Sequence, residues 1–205
     1  MSTATENRSG KKTAWIVLGV VAAIALIVGM SAVGTYNTLA TGRTSVEKAW
    51  SDVETSYQRR ADLIPSLVKI AQQASVREQE IIEGVVEARA DALKANVPVG
   101  DTAALEAANA PVSESLGRLL AVVEAYPQVQ STQAFLDLQA QVEGTENRVN
   151  VARRDFNDAA RDYNTRVVTF PSNIFAGMFG FSEASYFKAA DGAEQAPDID
   201  FGGGK

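Results

Sequence analysis

The chain contains 205 residues with a formal net charge of −6, and it has neither cysteine nor histidine. The lack of cysteine excludes a disulfide scaffold, an iron–sulfur cluster, a thiolate zinc site and a cysteine nucleophile. The lack of histidine excludes a Ser-His-Asp triad, an imidazole base and histidine metal ligation. The acidic balance argues against a nucleic-acid partner. We therefore expect no enzymatic activity, no cofactor and no metal site.

The N-terminal part carries a long apolar segment. No charged residue occurs between Lys12 and Arg43, and residues 14–34 form a run of 21 mostly apolar residues. About 20 apolar residues cross the core of a bilayer as a helix, in which every backbone polar group is satisfied internally. We expect a basic tail at residues 1–13 and a transmembrane helix at 14–35. The alternative is a cleaved signal peptide, whose apolar region of about 7–15 residues is shorter.

The distribution of basic residues around this segment predicts its orientation. Arg8, Lys11 and Lys12 precede the apolar run closely, whereas Arg43 and Lys48 follow it at a greater distance. The positive-inside rule then places the N-terminus in the cytoplasm and the larger domain outside a cell membrane. Small residues one turn apart within the span would let two such helices approach closely, so a homo-oligomer is a further hypothesis.

The rest of the chain has helical periodicity and predicts an all-α fold. Its clearest stretch is a heptad pattern, whose positions are Phe135, Leu138, Val142, Thr145, Val149, Ala152, Phe156, Ala159, Tyr163, Arg166 and Phe170. Pro127 and Pro171 bracket this stretch, as expected at helix limits. Three further apolar stripes begin at Leu39, Leu63 and Leu105.

Breakers between the stripes predict how the helices connect. Pro65 suits the first turn of a second helix that Asp62 would cap, and Asp101 is a cap candidate for the third. We therefore expect a single transmembrane helix followed by an antiparallel, up-and-down four-helix bundle of long helices over residues 36–170. If Pro65 only kinks one helix, the bundle has three helices instead.

Two different segments follow the predicted bundle. Residues 171–188 are rich in aromatic side chains, and no charge occurs from Phe170 until Glu183. Two interpretations remain open for this aromatic segment: a lid packed on the bundle, or a contact at the membrane interface. Residues 189–205 are acidic and glycine-rich, which predicts a disordered tail. Within that tail, residues 197–201 alternate apolar and acidic side chains and could add to a partner's sheet edge.

Two polar clusters stand out within the helical region. In the first, Arg59 and Arg60 would close the first helix and pair with Asp62 or Glu54. In the second, asparagines spaced by seven (Asn150, Asn157 and Asn164) form a stripe beside the heptad positions. A buried polar stripe can set helix register, which we prefer to a ligand-binding role.

The same clusters carry a resemblance to a known family. The ordered elements are Tyr36-Asn37, Ala49-Trp50, Arg59-Arg60-x-Asp62-Leu63-Ile64-Pro65, Tyr126-Pro127, Thr145-Glu146-Asn147, Ala152-Arg153, Phe156-Asn157, Tyr163-Asn164, Phe170-Pro171-x-Asn173, Gly180-Phe181 and Tyr186-Phe187. This series resembles the LemA family over about residues 14–187. The resemblance implies a bacterial membrane protein with one N-terminal span and an antiparallel helical bundle, and it supplies no reaction.

These observations lead to a functional hypothesis. We expect a membrane-anchored, non-enzymatic interaction or adaptor module at the bacterial cell envelope, with the lipid bilayer bound through residues 14–34 and an unknown envelope protein as partner. The alternative is a self-assembling scaffold that organises membrane. The candidate interaction or structural residues are Arg59, Arg60, Asp62, Pro65, Glu146, Asn147, Arg153, Asn157, Asn164, Phe170, Pro171, Asn173, Phe181, Tyr186 and Phe187.

Overall fold

The computed structural model describes residues 7–73 and 79–188, and these residues form helices without any strand. The helices are α1 (Asn7–Asp62), α2 (Ile64–Gln73), α3 (Gln79–Lys94), α4 (Thr102–Glu124), α5 (Pro127–Gln130), α6 (Gln133–Val168) and α7 (Ser172–Phe179). The predicted all-α class is thus confirmed. The predictions for the first six residues and for the tail at 189–205 lie outside the described residues.

The chain divides into two compact units. The first unit comprises residues 1–48 and 158–184, and the second comprises residues 49–157 and 185–205. Helices α1 and α6 therefore each contribute residues to both units. The units are described separately below.

Helix α1 joins the apolar segment and the first predicted bundle helix without a break. It includes a stretch that is long and apolar enough to cross a membrane, and none of that stretch is buried. Large apolar side chains from Trp15 to Val33 are exposed, whereas Leu39 and Val46 are buried. No proline occurs between residues 14 and 64, so the helix has no covalent reason to stop. A change in burial, and not a turn, therefore separates the apolar segment from the packed part of α1.

The end of α1 depends on a proline and on an arginine from another helix. Pro65 has no N–H, so the Ala61 carbonyl loses its usual helical donor. Arg89 of α3 replaces that donor, with its Nε 3.0 Å from the Ala61 oxygen. Its Nη2 also lies 3.5 Å from a carboxylate oxygen of Asp62. The predicted capping role of Asp62 is wrong: this residue ends α1 and pairs with α3, and only Leu63 separates α1 from α2.

The second unit contains a core built from α2 to α6. Its buried members are Ile64, Leu67, Ala71, Ile82, Val85, Val112, Leu116, Leu119, Val123, Val129, Phe135 and Leu138. Burying each large apolar side chain contributes about 1.5–3 kcal/mol. Asp101 caps α4 as predicted, because its carboxylate accepts a hydrogen bond from the Ala104 N–H at 3.0 Å.

The last long helix differs from the prediction in two details. Residues 127–168 form two helices, since α6 starts after Thr132, whose hydroxyl accepts a hydrogen bond from the Phe135 N–H at 3.3 Å. Beyond Phe156, Tyr163 is buried as predicted, but two other buried positions shift by one residue. Ala160 and Val167 are buried in place of the predicted Ala159 and Arg166. A straight helix of 3.6 residues per turn drifts away from a seven-residue repeat in this way.

Two glycines allow local geometry in the first unit that larger residues would disturb. Gly180 ends α7 with φ of 75°, and its N–H donates to the Ala176 carbonyl. Gly42 of α1 faces Tyr163 of α6, and a Cβ added at Gly42 would lie 3.1 Å from the Tyr163 Cδ2. The absence of a side chain at Gly42 therefore permits close contact between α1 and the Tyr163 ring.

We expect Gly42→Val to destabilise the protein by roughly 1–3 kcal/mol, because a branched side chain would collide with the Tyr163 ring. Thermal unfolding of the full chain in detergent, followed by circular dichroism, measures this loss. Gly84→Val is the matched control, since nothing lies within 4 Å of a Cβ added there. Equal loss in both variants would contradict the close contact at Gly42.

Candidate functional site

The C-terminal segment that follows α7 is not helical, and its last described residues pack on the second unit. Phe187 is buried against Trp50 and Phe156. The ring centroids of Phe187 lie 6.1 Å from Trp50 and 5.2 Å from Phe156, and those of Trp50 and Phe156 are 5.6 Å apart. Such aromatic contacts add about 0.5–1.5 kcal/mol per pair to the burial of area. In this three-ring cluster, Phe187 of the C-terminal segment packs against a residue of α1 and a residue of α6.

Asn157 fixes the backbone of Phe187 with two hydrogen bonds. Its Nδ2 donates to the Phe187 carbonyl at 2.9 Å, and its Oδ1 accepts from the Phe187 N–H at 2.9 Å. The amide side chain thus supplies the donor and acceptor that a neighbouring backbone would supply in a sheet. Buried backbone polar groups require such partners, so Asn157 permits a non-helical segment to pack there.

Arg153 adds a charged contact to the same place. Its guanidinium pairs with Glu106 of α4, donates to the Lys188 carbonyl at 2.9 Å, and lies 5.1 Å from the Phe187 ring centroid. Thr102 of α4 also donates to the carbonyl of Tyr186 at 3.1 Å. Residues 186–188 are therefore held by side chains of both α4 and α6.

The first unit repeats the amide pattern at a second asparagine. Asn164 is buried; its Nδ2 donates to the Ala184 carbonyl at 2.9 Å, and its Oδ1 accepts from the Ala184 N–H at 2.8 Å. The Tyr163 hydroxyl donates to the Ser182 carbonyl at 3.0 Å. Burial raises the pKa of Tyr163 above its usual value, and the nearby charge of Arg43 partly opposes that rise. The Tyr163 hydroxyl therefore keeps its proton for the contact with Ser182.

Arg60 is a buried cation of the second unit. Only 4% of the residue is exposed, and its guanidinium donates to Ser113 of α4 and pairs with Glu146 of α6. Burial lowers the pKa of Arg60 from its ordinary value. The predicted pairing of this arginine with Asp62 or Glu54 is wrong, because its partners lie on α4 and α6. Arg59, by contrast, is exposed.

The other predicted residues occupy simpler positions. Four of them are exposed: Pro65, Asn147, Phe170 and Asn173. Tyr186 is also exposed, and its carbonyl accepts the hydrogen bond from Thr102. Pro171 directly precedes α7, and Phe181 is half-buried against Tyr36. The asparagine stripe is divided as well: Asn157 and Asn164 bind the C-terminal segment, whereas Asn150 is exposed. The sequence reasoning missed Thr102, Glu106 and Ser113 as partners, because single polar residues on an amphipathic helix carry no signal of distant contacts.

Several of these polar side chains bind backbone groups of the C-terminal segment. Among residues 7–73 and 79–188, no three or more acidic side chains gather as a metal site would require. The second unit does contain an open groove between α1, α3 and α4, lined among others by Glu54, Tyr57, Gln58, Leu93 and Asn109. Burial raises the pKa of Tyr57, so its phenol stays protonated at neutral pH. The groove thus offers uncharged polar and apolar contacts beside one carboxylate.

We expect Asn157→Asp to destabilise the protein by roughly 1–3 kcal/mol, because a carboxylate cannot donate to the Phe187 carbonyl. Thermal unfolding in detergent measures the loss, and limited proteolysis should cut more rapidly near residue 187. Asn150→Asp is the matched control, because Asn150 is the exposed member of the asparagine stripe, and this change should alter stability by less than about 0.5 kcal/mol. If both variants behave alike, the amide of Asn157 does not hold the segment.

Removing the charge of Glu146 tests its pairing with the buried Arg60. We expect Glu146→Gln to cost about 1–3 kcal/mol, since Arg60 stays buried without its counter-charge and the exposure of Glu146, at 57%, moderates the loss. Glu114→Gln removes the exposed pair with Arg118 and should cost less than about 1 kcal/mol. The measurement is again the free energy of unfolding, and a larger effect at Glu114 would overturn this ranking.

Comparison with known proteins gives a consistent assignment. The model of the LemA family matches residues 49–201. The chain is 30% identical over 194 residues to the magnetosome proteins MamQ 2 and MamQ 1 of Paramagnetospirillum magneticum, covering 84% of this chain and 70% of each relative. It is 27% identical over 174 residues to the magnetosome protein MamQ of Magnetospirillum gryphiswaldense, covering 74% of this chain and 64% of that relative. The chain therefore belongs to the LemA family, as its ordered motifs predict.

Proposed function

We propose that the protein is anchored in the cell membrane by residues 14–34, with its N-terminus in the cytoplasm, and acts outside as a non-enzymatic adaptor. The observation that carries this proposal is the course of α1. This one helix contains an unburied apolar stretch and then the buried residues Leu39, Val46 and Trp50. An apolar stretch with no protein neighbours needs lipid around it, since water would make its exposure costly.

An antiparallel bundle is the arrangement that we propose for the helices. In the second unit, Trp50 contacts Phe156 and Arg60 pairs with Glu146. The partner numbers fall along α6 as they rise along α1, which supports antiparallel packing of these helices. The extensive contact between α3 and α4 supplies a second helix pair. Two such pairs are the components of an up-and-down bundle.

The adaptor role is supported by the surface beside the groove of the second unit. Leu93 lines the groove and is 47% exposed, and Val97 and Leu105 line it as well. Glu54 and Gln58 line the same groove with polar groups. Apolar contacts with a polar rim are typical of protein-binding surfaces.

Site-specific crosslinking in intact cells tests this proposal. A photo-crosslinking residue at Leu93 should yield a reproducible adduct with one envelope protein, because Leu93 lines the groove. The same residue at Val151, exposed on α6, is the control and should yield none. Absence of any adduct at Leu93 would contradict the adaptor role. An adduct between two copies of the chain alone would favour the self-assembling scaffold instead.

A further inference from the structure

Helix α7 of the first unit presents an apolar face that no described residue covers. Phe170, Ile174 and Met178 are 75%, 59% and 65% exposed. Ile174 and Met178 are four residues apart in α7 and therefore lie on one side of the helix, whereas Ala176 on the other side is buried. Phe170 lies in the turn that precedes α7. No charged residue occurs from position 167 to 182. Water therefore faces a continuous apolar strip without any charged group to solvate.

The position of α7 beside α1 suggests what covers this strip. Tyr36 of α1 contacts Phe179 at a centroid distance of 5.2 Å and Phe181 at 5.7 Å. Tyr36 lies two residues after the apolar segment at 14–34, which is about 3 Å along a helix. The C-terminal end of α7 is thus attached to α1 where the apolar segment ends.

The spacing of two aromatic residues in α1 indicates where the surface of a bilayer would lie. Trp15 lies at the start of the apolar segment and Tyr36 just after its end, and the two stand about 31 Å apart along an α-helix. That distance matches the hydrocarbon thickness of a bilayer, and Trp and Tyr favour its two interfaces. In an anchored protein, Tyr36 and the attached end of α7 therefore lie at the level of the lipid headgroups.

The polar surroundings of this place fit a lipid surface. Arg166 lines an open groove of the first unit together with Thr35, Thr38 and Ser172. A cation beside hydroxyl groups at headgroup level complements the phosphates of lipids, and anionic lipids attract such basic residues. The apolar strip and the nearby cation are the two features that an interfacial helix combines.

We propose that α7 is a second membrane contact, lying in the interfacial layer of the bilayer that α1 spans, with Phe170, Ile174 and Met178 among the lipids. This inference rests on the proposed anchor. It assigns the two earlier interpretations of the aromatic segment to different residues: the part around Phe187 packs on helices, and α7 binds lipid.

Fluorescence of single-cysteine variants tests the proposal, because the native chain contains no cysteine. The full chain is reconstituted in vesicles of phosphatidylethanolamine and phosphatidylglycerol and labelled with an environment-sensitive dye at Ile174→Cys or Met178→Cys. We expect blue-shifted emission, and several-fold stronger quenching by headgroup-level nitroxide lipids than at Val86→Cys. Val86 is the matched control, since it is an exposed apolar residue of α3 in the second unit.

Ile24→Cys separates the failure of this proposal from the failure of the anchor. Quenching at Ile24 by deeply placed nitroxide lipids, without quenching at Ile174 and Met178, would overturn the second contact and leave the anchor intact. No quenching at Ile24 would overturn both. A blue shift at Ile174 without quenching by lipid would mean that protein covers the strip, which overturns the lipid assignment. A second copy is then the occupant if the shift grows with protein density.

Discussion

The non-helical segment after α7 depends on hydrogen bonds that side chains make to its backbone. In a helix each peptide group finds its partner within the same segment, but residues 182–188 are not helical, so their peptide groups need partners elsewhere. Asn164 satisfies both polar groups of Ala184 in the first unit, and Asn157 does the same for Phe187 in the second. An amide is the one kind of uncharged side chain that offers a donor and an acceptor side by side. This constraint explains why asparagine, and not a shorter hydroxyl residue, stands at both positions.

The contact of Asn157 with the backbone also places an aromatic ring. Fixing the Phe187 backbone seats its ring against Trp50 and Phe156, and Arg153 then covers the ring while pairing with Glu106. The Trp50 indole N–H is buried without a hydrogen-bond partner among the described residues, so ring packing must outweigh that cost. The polar contacts around this cluster therefore act through the position of the backbone, and the rings supply the burial.

Sequence patterns predicted local features of this protein well and distant partners poorly. Periodicity gave the helices, and the Asp101 cap and the break near Pro65 followed from rules that act within one turn. The partner of Arg60 is Glu146, 86 residues away, and no spacing rule connects two such positions. The asparagine stripe was recognisable from its repeat of seven. Its partner is the non-helical segment after α7, whose sequence has no hydrophobic periodicity that could have predicted the contact. The role of Arg89 was equally hidden, because it depends on a carbonyl that Pro65 leaves free.

Polar and apolar side chains differ in whether they are engaged within the chain or exposed, and this difference bears on function. Several of the polar residues that the sequence pointed to make their contacts with other parts of the same chain. Arg60, Arg153 and Asn164 are examples. Among the described residues, exposed large apolar side chains gather on the stretch of α1 before Leu39 and on the outer face of α7. Burial of such surface drives association, so this distribution supports the two contacts that we propose, with lipid and with another protein.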